Sequence, residues 1–217
     1  MSSQQIFNYN YRNISVSGLP GSGSTTLLEM LKKELKLDGW RGFSGGEFMR
    51  AYAAEKGLFD KSQKVHHDAS HYEDDFDRQV DFGMRAKLKT EKKWILESWL
   101  SGFLAQQVPG VLKILMICSD DAVRIDRIVN RDQISVTEAK VHLIGRYDTN
   151  LKTWSKLYAD EWQKWVVAPG TISAEATIDF WHQDLYDLVI DTYSTNQTQT
   201  IKLVLDALKK KKTQKKA

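Results

Sequence analysis

The sequence predicts an α/β sandwich built on a parallel sheet, and three observations carry that expectation. Short β-prone runs recur at Ile14-Ser15-Val16-Ser17, Trp94-Ile95-Leu96, Leu112 to Cys118 and Leu188-Val189-Ile190. Most are continuously apolar, the pattern of strands covered on both faces by helices. Helical patterns fill the gaps: Gly46 to Lys56, Phe76 to Leu88, Asp121 to Arg131, Val136 to Trp165 with interruptions, and Thr198 to Lys210. The third observation is local. The first β run stops at a glycine-rich turn, after which Leu27, Leu28, Leu31 and Leu35 recur at helical spacing, giving strand, turn and helix in succession.

At 217 residues and 24.9 kDa, with 41% hydrophobic and 27% charged residues, the chain suits one globular domain, expected over residues 1–208. No stretch reaches the roughly 18 consecutive apolar residues of a membrane helix. The polar start MSSQQIFNYNYRN lacks both the basic and the apolar region of a leader, so a cytoplasmic location is expected. A lone Cys118 within LKILMIC reads as a reduced core thiol and excludes a multi-cysteine metal site. His66, His67 and His71 lack a credible fourth ligand, and no structural metal is expected. Six of the 31 basic residues are Lys209, Lys210, Lys211, Lys212, Lys215 and Lys216, which leaves 25 basic against 28 acidic residues elsewhere. The body is therefore no nucleic-acid platform. Residues 209–217 are expected to be a flexible tail with at most weak contact to anions such as nucleic acid. A loop is expected from Val166 to Ile178, around Ala168-Pro169-Gly170.

The turn itself reads GLPGSGST, Gly18 to Thr25, and fits G-x-x-x-x-G-K-[ST] at each defined position except the lysine, which is Ser24. Its glycines permit close approach of backbone amides to an anion, and the following helix aims its N-terminal dipole at the same point. Gly18, Pro20, Gly21, Ser22, Gly23, Ser24, Thr25 and Thr26 are therefore candidates to hold the phosphates of ATP, with the Thr25 hydroxyl turned to Mg²⁺. The fold class sharpens to a P-loop NTPase: a three-layer α/β/α sandwich with a central parallel sheet and a small helical lid.

Taken with the motifs after it, the turn resembles the archaeal-type cytidylate kinases, whose P-loops also often carry a hydroxyl residue in place of the lysine. The segments are ISVSGLPGSGSTTL, SGGEFMRAYAAEKG, FDRQVD, WILESWLSGFLA, RIDRIVNRDQISVTEA and YDLVIDT, in the family's order and near its spacing from Ile14 to Leu208. The resemblance implies transfer of the ATP γ-phosphate to CMP or dCMP, with a lid at about residues 132–178. It places Ser44 and Arg50 at the acceptor phosphate, Asp77, Arg78 and Asp81 at the base, Glu97 near the metal's water shell, and Arg127, Arg131 and Arg146 on the lid side of ATP. Two departures stand out. The family typically reads LEGR where this chain has Leu96-Glu97-Ser98-Trp99, so an arginine has become an indole that could stack on a base. In the lid stretch RYDTNLKTWSKLY, Leu151 and Thr153 occupy arginine positions. Two alternatives follow: a kinase for another small acceptor, or a non-catalytic nucleotide-binding regulator.

Overall fold

The computed structural model describes residues 9–49 and 74–209; Arg50, the three histidines at 66, 67 and 71, and the lysines beyond Lys209 lie outside the described residues. Five strands, β1 (Asn13–Gly18), β2 (Arg41–Ser44), β3 (Trp94–Glu97), β4 (Val111–Ile117) and β5 (Leu188–Asp191), pair in parallel in the order β2-β3-β1-β4-β5. The helices are α1 (Ser24–Glu34), α2 (residues 45–49 of it described), α3 (Asp74–Thr90), α4 (Ser101–Leu104), α5 (Asp121–Asp132), α6 (Val136–Leu157), α7 (Ala159–Trp162) and α8 (Gln197–Lys209). The parallel sheet and the flanking helices agree with the P-loop sandwich expected.

The pleat divides the core between the two faces of the sheet. Ile14 and Val16 of β1, with Leu112, Ile114 and Met116 of β4, pack against Leu27, Leu28 and Leu31 of α1 and Val204 and Leu208 of α8. The alternate residue Leu115 faces a second cluster, rich in aromatic rings: Phe103 of α4, Tyr158, Trp162, Phe180, Trp181 and Tyr186. On that face β1 presents serines. Gly102 N donates to Ser17 Oγ at 2.8 Å, and Ser101 Oγ donates to Val16 O at 2.7 Å, so the short helix α4 ties to β1 through the Ser17 and Ser101 hydroxyls, whereas Ser15 Oγ is buried without a partner. A side chain at Gly102 would meet the Tyr186 ring at 2.1 Å, which is why α4 carries a glycine there.

The four predicted β runs become β1, β3, β4 and β5. β2 escapes the periodicity because it is only four residues with Gly42 inside, a position where a Cβ would lie 2.4 Å from the stem of Lys32. The observed α3 extends the predicted helix by two residues at each end, α5 runs one residue further than predicted, and α8 starts one residue earlier and is described to Lys209. α5 is capped by Asp120, whose Oδ1 accepts from Val123 N, and ends at Gln133 in the left-handed region (φ 56°). α6 opens with a capping box between Ser135 and Glu138. Beyond α7 a π-helical turn, Gln163–Val167, takes in the first two residues of the expected loop, and Val166 and Ile172 are buried. The second half of the expected lid thus packs into the aromatic core: Phe103 lies 4.8 Å from Phe180 and 6.1 Å from Trp162, ring centre to ring centre. Among the described residues, no helix is long and apolar enough to cross a membrane.

Candidate functional site: a phosphate-binding turn in an acidic and aromatic cleft

β1 is central and wholly buried, so its C-terminal end delivers Gly18 to the middle of the sheet edge where ligands collect in open α/β folds. A Cβ at Gly18 would lie 2.3 Å from Ser22 Oγ, which makes glycine obligatory there. Gly23, the N-cap of α1, has φ 90° and supplies no side-chain acceptor, and the first turn of α1 holds no acidic residue. The leading amides of α1 therefore face a cleft of about 830 Å³ with their partial positive charge.

That cleft brings together most of the predicted residues. Gly18, Pro20, Gly21, Gly23, Ser24, Thr25 and Thr26 line it, as do Ser44, Asp77, Asp81, Glu97, Trp99, Arg127, Arg131 and Arg146. Ser22 does not. Its hydroxyl is buried beneath Gly18 and its amide closes the turn on Leu19 O at 3.0 Å, so it shapes the loop from inside. Arg78 does not line the cleft either. It donates to Glu161 Oε1 at 2.8 Å and to Leu157 O, stacks near Phe82 and Tyr158, and so ties α3 to the end of α6; the hydrogen bond to Glu161 raises its pKa.

The residue standing where the motif's lysine is absent has another task. Ser24 Oγ donates to Glu97 Oε1 at 2.8 Å, and Ser44 Oγ donates to Glu97 Oε2 at 2.7 Å. One buried carboxylate at the end of β3 thus joins the P-loop to the β2–α2 turn. Thr25, which is exposed, and Glu97 both line the cleft, and they are the oxygen donors that could hold a hard divalent cation through its water shell.

α5 supplies the cations. Arg127 donates through Nη1 to Gly21 O at 3.0 Å and to Thr192 Oγ1 at 2.7 Å, and through Nη2 to Thr192 O at 2.9 Å. Thr192 Oγ1 in turn donates to Ser22 O or Ile117 O, at 3.0 and 3.1 Å. Arg131 grips Asp132 with two bonds of 2.7 Å. Arg124 lays its stem against Gly21, and burial lowers its pKa. Arg146 of α6 lies 5.1 Å from the Trp99 ring centre.

On α3, Asp81 is half-buried and its Oδ2 accepts from Tyr158 OH at 2.6 Å. Loss of hydration raises its pKa to about 6, against the lowering pull of the Tyr158 hydroxyl and of Arg78. Asn150, Trp154, Thr192 and the Thr195-Asn196-Gln197 stretch also line the cleft and went unassigned from sequence. For Asn150 and Trp154 a signal existed: with Arg146 they stand at i, i+4 and i+8 of one helix, a single face.

A glycine turn on the central strand of a 2-3-1-4-5 parallel sheet, opening into a cleft edged with arginines, defines a P-loop phosphotransferase. The sequence matches the family described as an AAA domain over residues 14–147. It is 32% identical over 201 residues to a cytidylate kinase of Methanosarcina acetivorans, covering 90% of this chain and 97% of that protein. It is 26% identical to a cytidylate kinase of Archaeoglobus fulgidus, covering 92% and 96%. Among solved structures, an uncharacterized protein from Eubacterium ventriosum superposes with a TM-score of 0.60 at 12% identity, covering 91% and 98%. A gluconokinase from Sinorhizobium meliloti gives 0.53 at 12% identity, covering 93% of each chain; both show the fold. The chain belongs to the archaeal-type cytidylate kinase-like family of P-loop kinases.

Proposed function

We propose that this chain is a nucleoside monophosphate kinase that transfers the γ-phosphate of ATP to CMP or dCMP. The observation that carries the reading is the single cleft lined at once by the P-loop, by Glu97 and by Asp77, Asp81 and Trp99. A donor phosphate chain on the turn and an acceptor between α2 and α3 would then meet beside the Glu97 carboxylate. The names of its relatives support the same acceptor.

In this reading the α1 amides and the Gly18–Thr26 backbone hold the donor phosphates. Thr25 and Glu97 would hold Mg²⁺ through oxygen, and that ion would supply charge neutralisation between donor phosphates. Arg127, Arg131 and Arg146 offset the charge of the transferring group. Asp77 and Asp81 accept from the cytosine amino group, and Arg50 grips the acceptor phosphate with a bidentate fork. An acceptor phosphate oxygen attacks the γ-phosphorus while the bond to the ADP oxygen breaks; the attacking oxygen is already ionised, so no catalytic base is needed. Closure over the reactants is assigned to residues 132–145, since Tyr147, Trp154 and the chain from Tyr158 onward are held in the aromatic core. Water is excluded by that movement.

A coupled ADP-release assay with Mg·ATP across CMP, dCMP, UMP, AMP and GMP tests the proposal, with Gly23→Asp as the blank. Stimulation by CMP or dCMP that vanishes in the variant is the expected result. Turnover with a different acceptor, or none with any, would overturn the assignment.

A further inference from the structure

Trp99 does more than fill a wall. Its backbone carbonyl accepts from Trp181 Nε1 at 3.0 Å, and its ring meets Trp154 and Trp181 edge-on, at 5.6 and 6.0 Å between centres with interplanar angles of 79° and 70°. Those contacts fix the indole. Trp154 and Tyr147 come from α6, and Tyr147 packs on Trp181 at 5.3 Å, so the same cluster fixes the helix that carries Arg146. The Arg146 guanidinium carbon lies 5.1 Å from the Trp99 ring centre, within the roughly 6 Å over which a ring quadrupole attracts a cation. Both side chains line the cleft, and Trp99 follows two residues after Glu97, whose carboxylate bridges the P-loop and the β2–α2 turn.

We propose that Trp99 is a positioning residue: its indole stations the Arg146 guanidinium in the cleft, where that fork binds the phosphate of a mononucleotide acceptor. The proposal rests on the kinase reading above and names how its acceptor site is built. A long arginine side chain loses rotamer freedom when it binds an anion, a cost of up to about 2 kcal/mol. An aromatic platform meets part of that cost before the acceptor arrives, which is preorganisation. Charge at position 99 would do the reverse, because a second cation beside Arg146 repels it.

The test is CMP affinity by titration calorimetry for the wild type, Trp99→Leu, Trp99→Phe, Trp99→Arg, Arg146→Gln and Trp99→Leu/Arg146→Gln, with ATP affinity reporting an intact fold. We expect Trp99→Leu and Trp99→Arg to weaken CMP about tenfold, and Trp99→Phe to restore most of the loss. In the Arg146→Gln background, Trp99→Leu should add less than about twofold, the non-additivity of a residue acting through another. Equal affinity in Trp99→Leu, or a full tenfold loss in both backgrounds, overturns the positioning role. Arg146 reactivity toward phenylglyoxal, read by mass spectrometry, should rise several-fold in Trp99→Leu; unchanged reactivity refutes the contact whatever the substrate. A wild type that binds none of the five mononucleotides, together with raised reactivity in Trp99→Leu, refutes the acceptor reading and the phosphate-binding role while the contact itself stands.

Discussion

Asp81→Asn should make this protein more stable at alkaline pH and a poorer binder of its acceptor. The Asp81 carboxylate sits on the cleft side of α3, with Tyr158 OH donating to it at 2.6 Å. Its pKa is raised from 3.8 to about 6, chiefly because burial strips its hydration, while the Tyr158 hydroxyl and Arg78 pull the other way. The folded protein therefore holds this proton more tightly than the unfolded chain does. The stability it contributes is fully present below about pH 4 and is lost as pH rises through about 6. At about 1.4 kcal/mol per unit the rise is worth up to ~3 kcal/mol. Water in the cleft screens part of the charge, so about 1–2 kcal/mol is the expected gain at pH 8. Asparagine keeps an oxygen for the Tyr158 hydroxyl and carries no charge. Urea unfolding of both proteins from pH 4 to 8 should show the wild type losing stability over this interval more steeply than the variant. Parallel curves, or a less stable variant at pH 8, would mean that Tyr158 and Arg78 fully compensate the ionised carboxylate. CMP affinity should fall about tenfold, since an amide is a weaker acceptor for the cytosine amino group than a carboxylate.

Glu97→Ala strips the acceptor from two serine hydroxyls, one on the P-loop and one on β2, and each orphaned group costs about 1–2 kcal/mol. Thermal unfolding should reveal a loss of ~2–4 kcal/mol together with loss of turnover; a stable, active variant would remove Glu97 from the site. Ser24→Lys writes the missing motif lysine back, but its ammonium would meet the Glu97 carboxylate, which Ser24 Oγ now contacts at 2.8 Å. kcat should not rise, and a severalfold increase would show that the carboxylate does not capture the lysine. Arg78→Ala breaks the tie to Glu161 and Leu157 at a half-exposed site and should cost about 1–2 kcal/mol in urea unfolding. The KM for CMP should stay within about twofold, and a larger change would return Arg78 to the acceptor site.

What the sequence disclosed depended on whether the signal was local. The P-loop is a short-range object, in which strand, glycines and helix start are adjacent, and both the turn and the cleft it faces could be located from letters alone. Short β-prone runs, most of them continuously apolar, announced β1, β3, β4 and β5. β2 was silent because its place in the sheet is set by Trp94 to Glu97 alongside it, and its glycine by Lys32 crossing above. Arg78 and Asp81 show the limit more sharply. Spacing of three puts them near one another on α3, but only the tertiary packing of Glu161 and Tyr158 decides that the arginine turns away from the cleft while the carboxylate remains on it. The aromatic stripe at Trp154, Trp162 and Trp165 likewise reads as lid or as core until Phe103 and Phe180 are seen to enclose its second half.

The same dependence on long-range packing answers how a P-loop without its lysine can face phosphates. Ser24 is committed to Glu97, so position 24 adds no positive charge to the turn. The charge stands on α5 instead, where Arg124, Arg127 and Arg131 follow at i, i+3 and i+7 along one side of the helix. Arg124 packs its stem on Gly21, and Arg127 binds the carbonyl of Gly21 and both oxygens of Thr192. Each bond to a carbonyl also turns the opposite end of that peptide, and its dipole, in a defined direction, so Arg127 orders the loop as well as charging its surroundings. A lysine on the turn would deliver one mobile ammonium to the phosphates. Of the three arginines on α5, Arg127 and Arg131 line the cleft, and the position of their charge depends on how α5 sits against Thr192 and the end of β5. In the proposed reading, therefore, the electrostatics of the cleft depend on helix packing, and changes at Thr192, the last residue of YDLVIDT, should be felt at the P-loop.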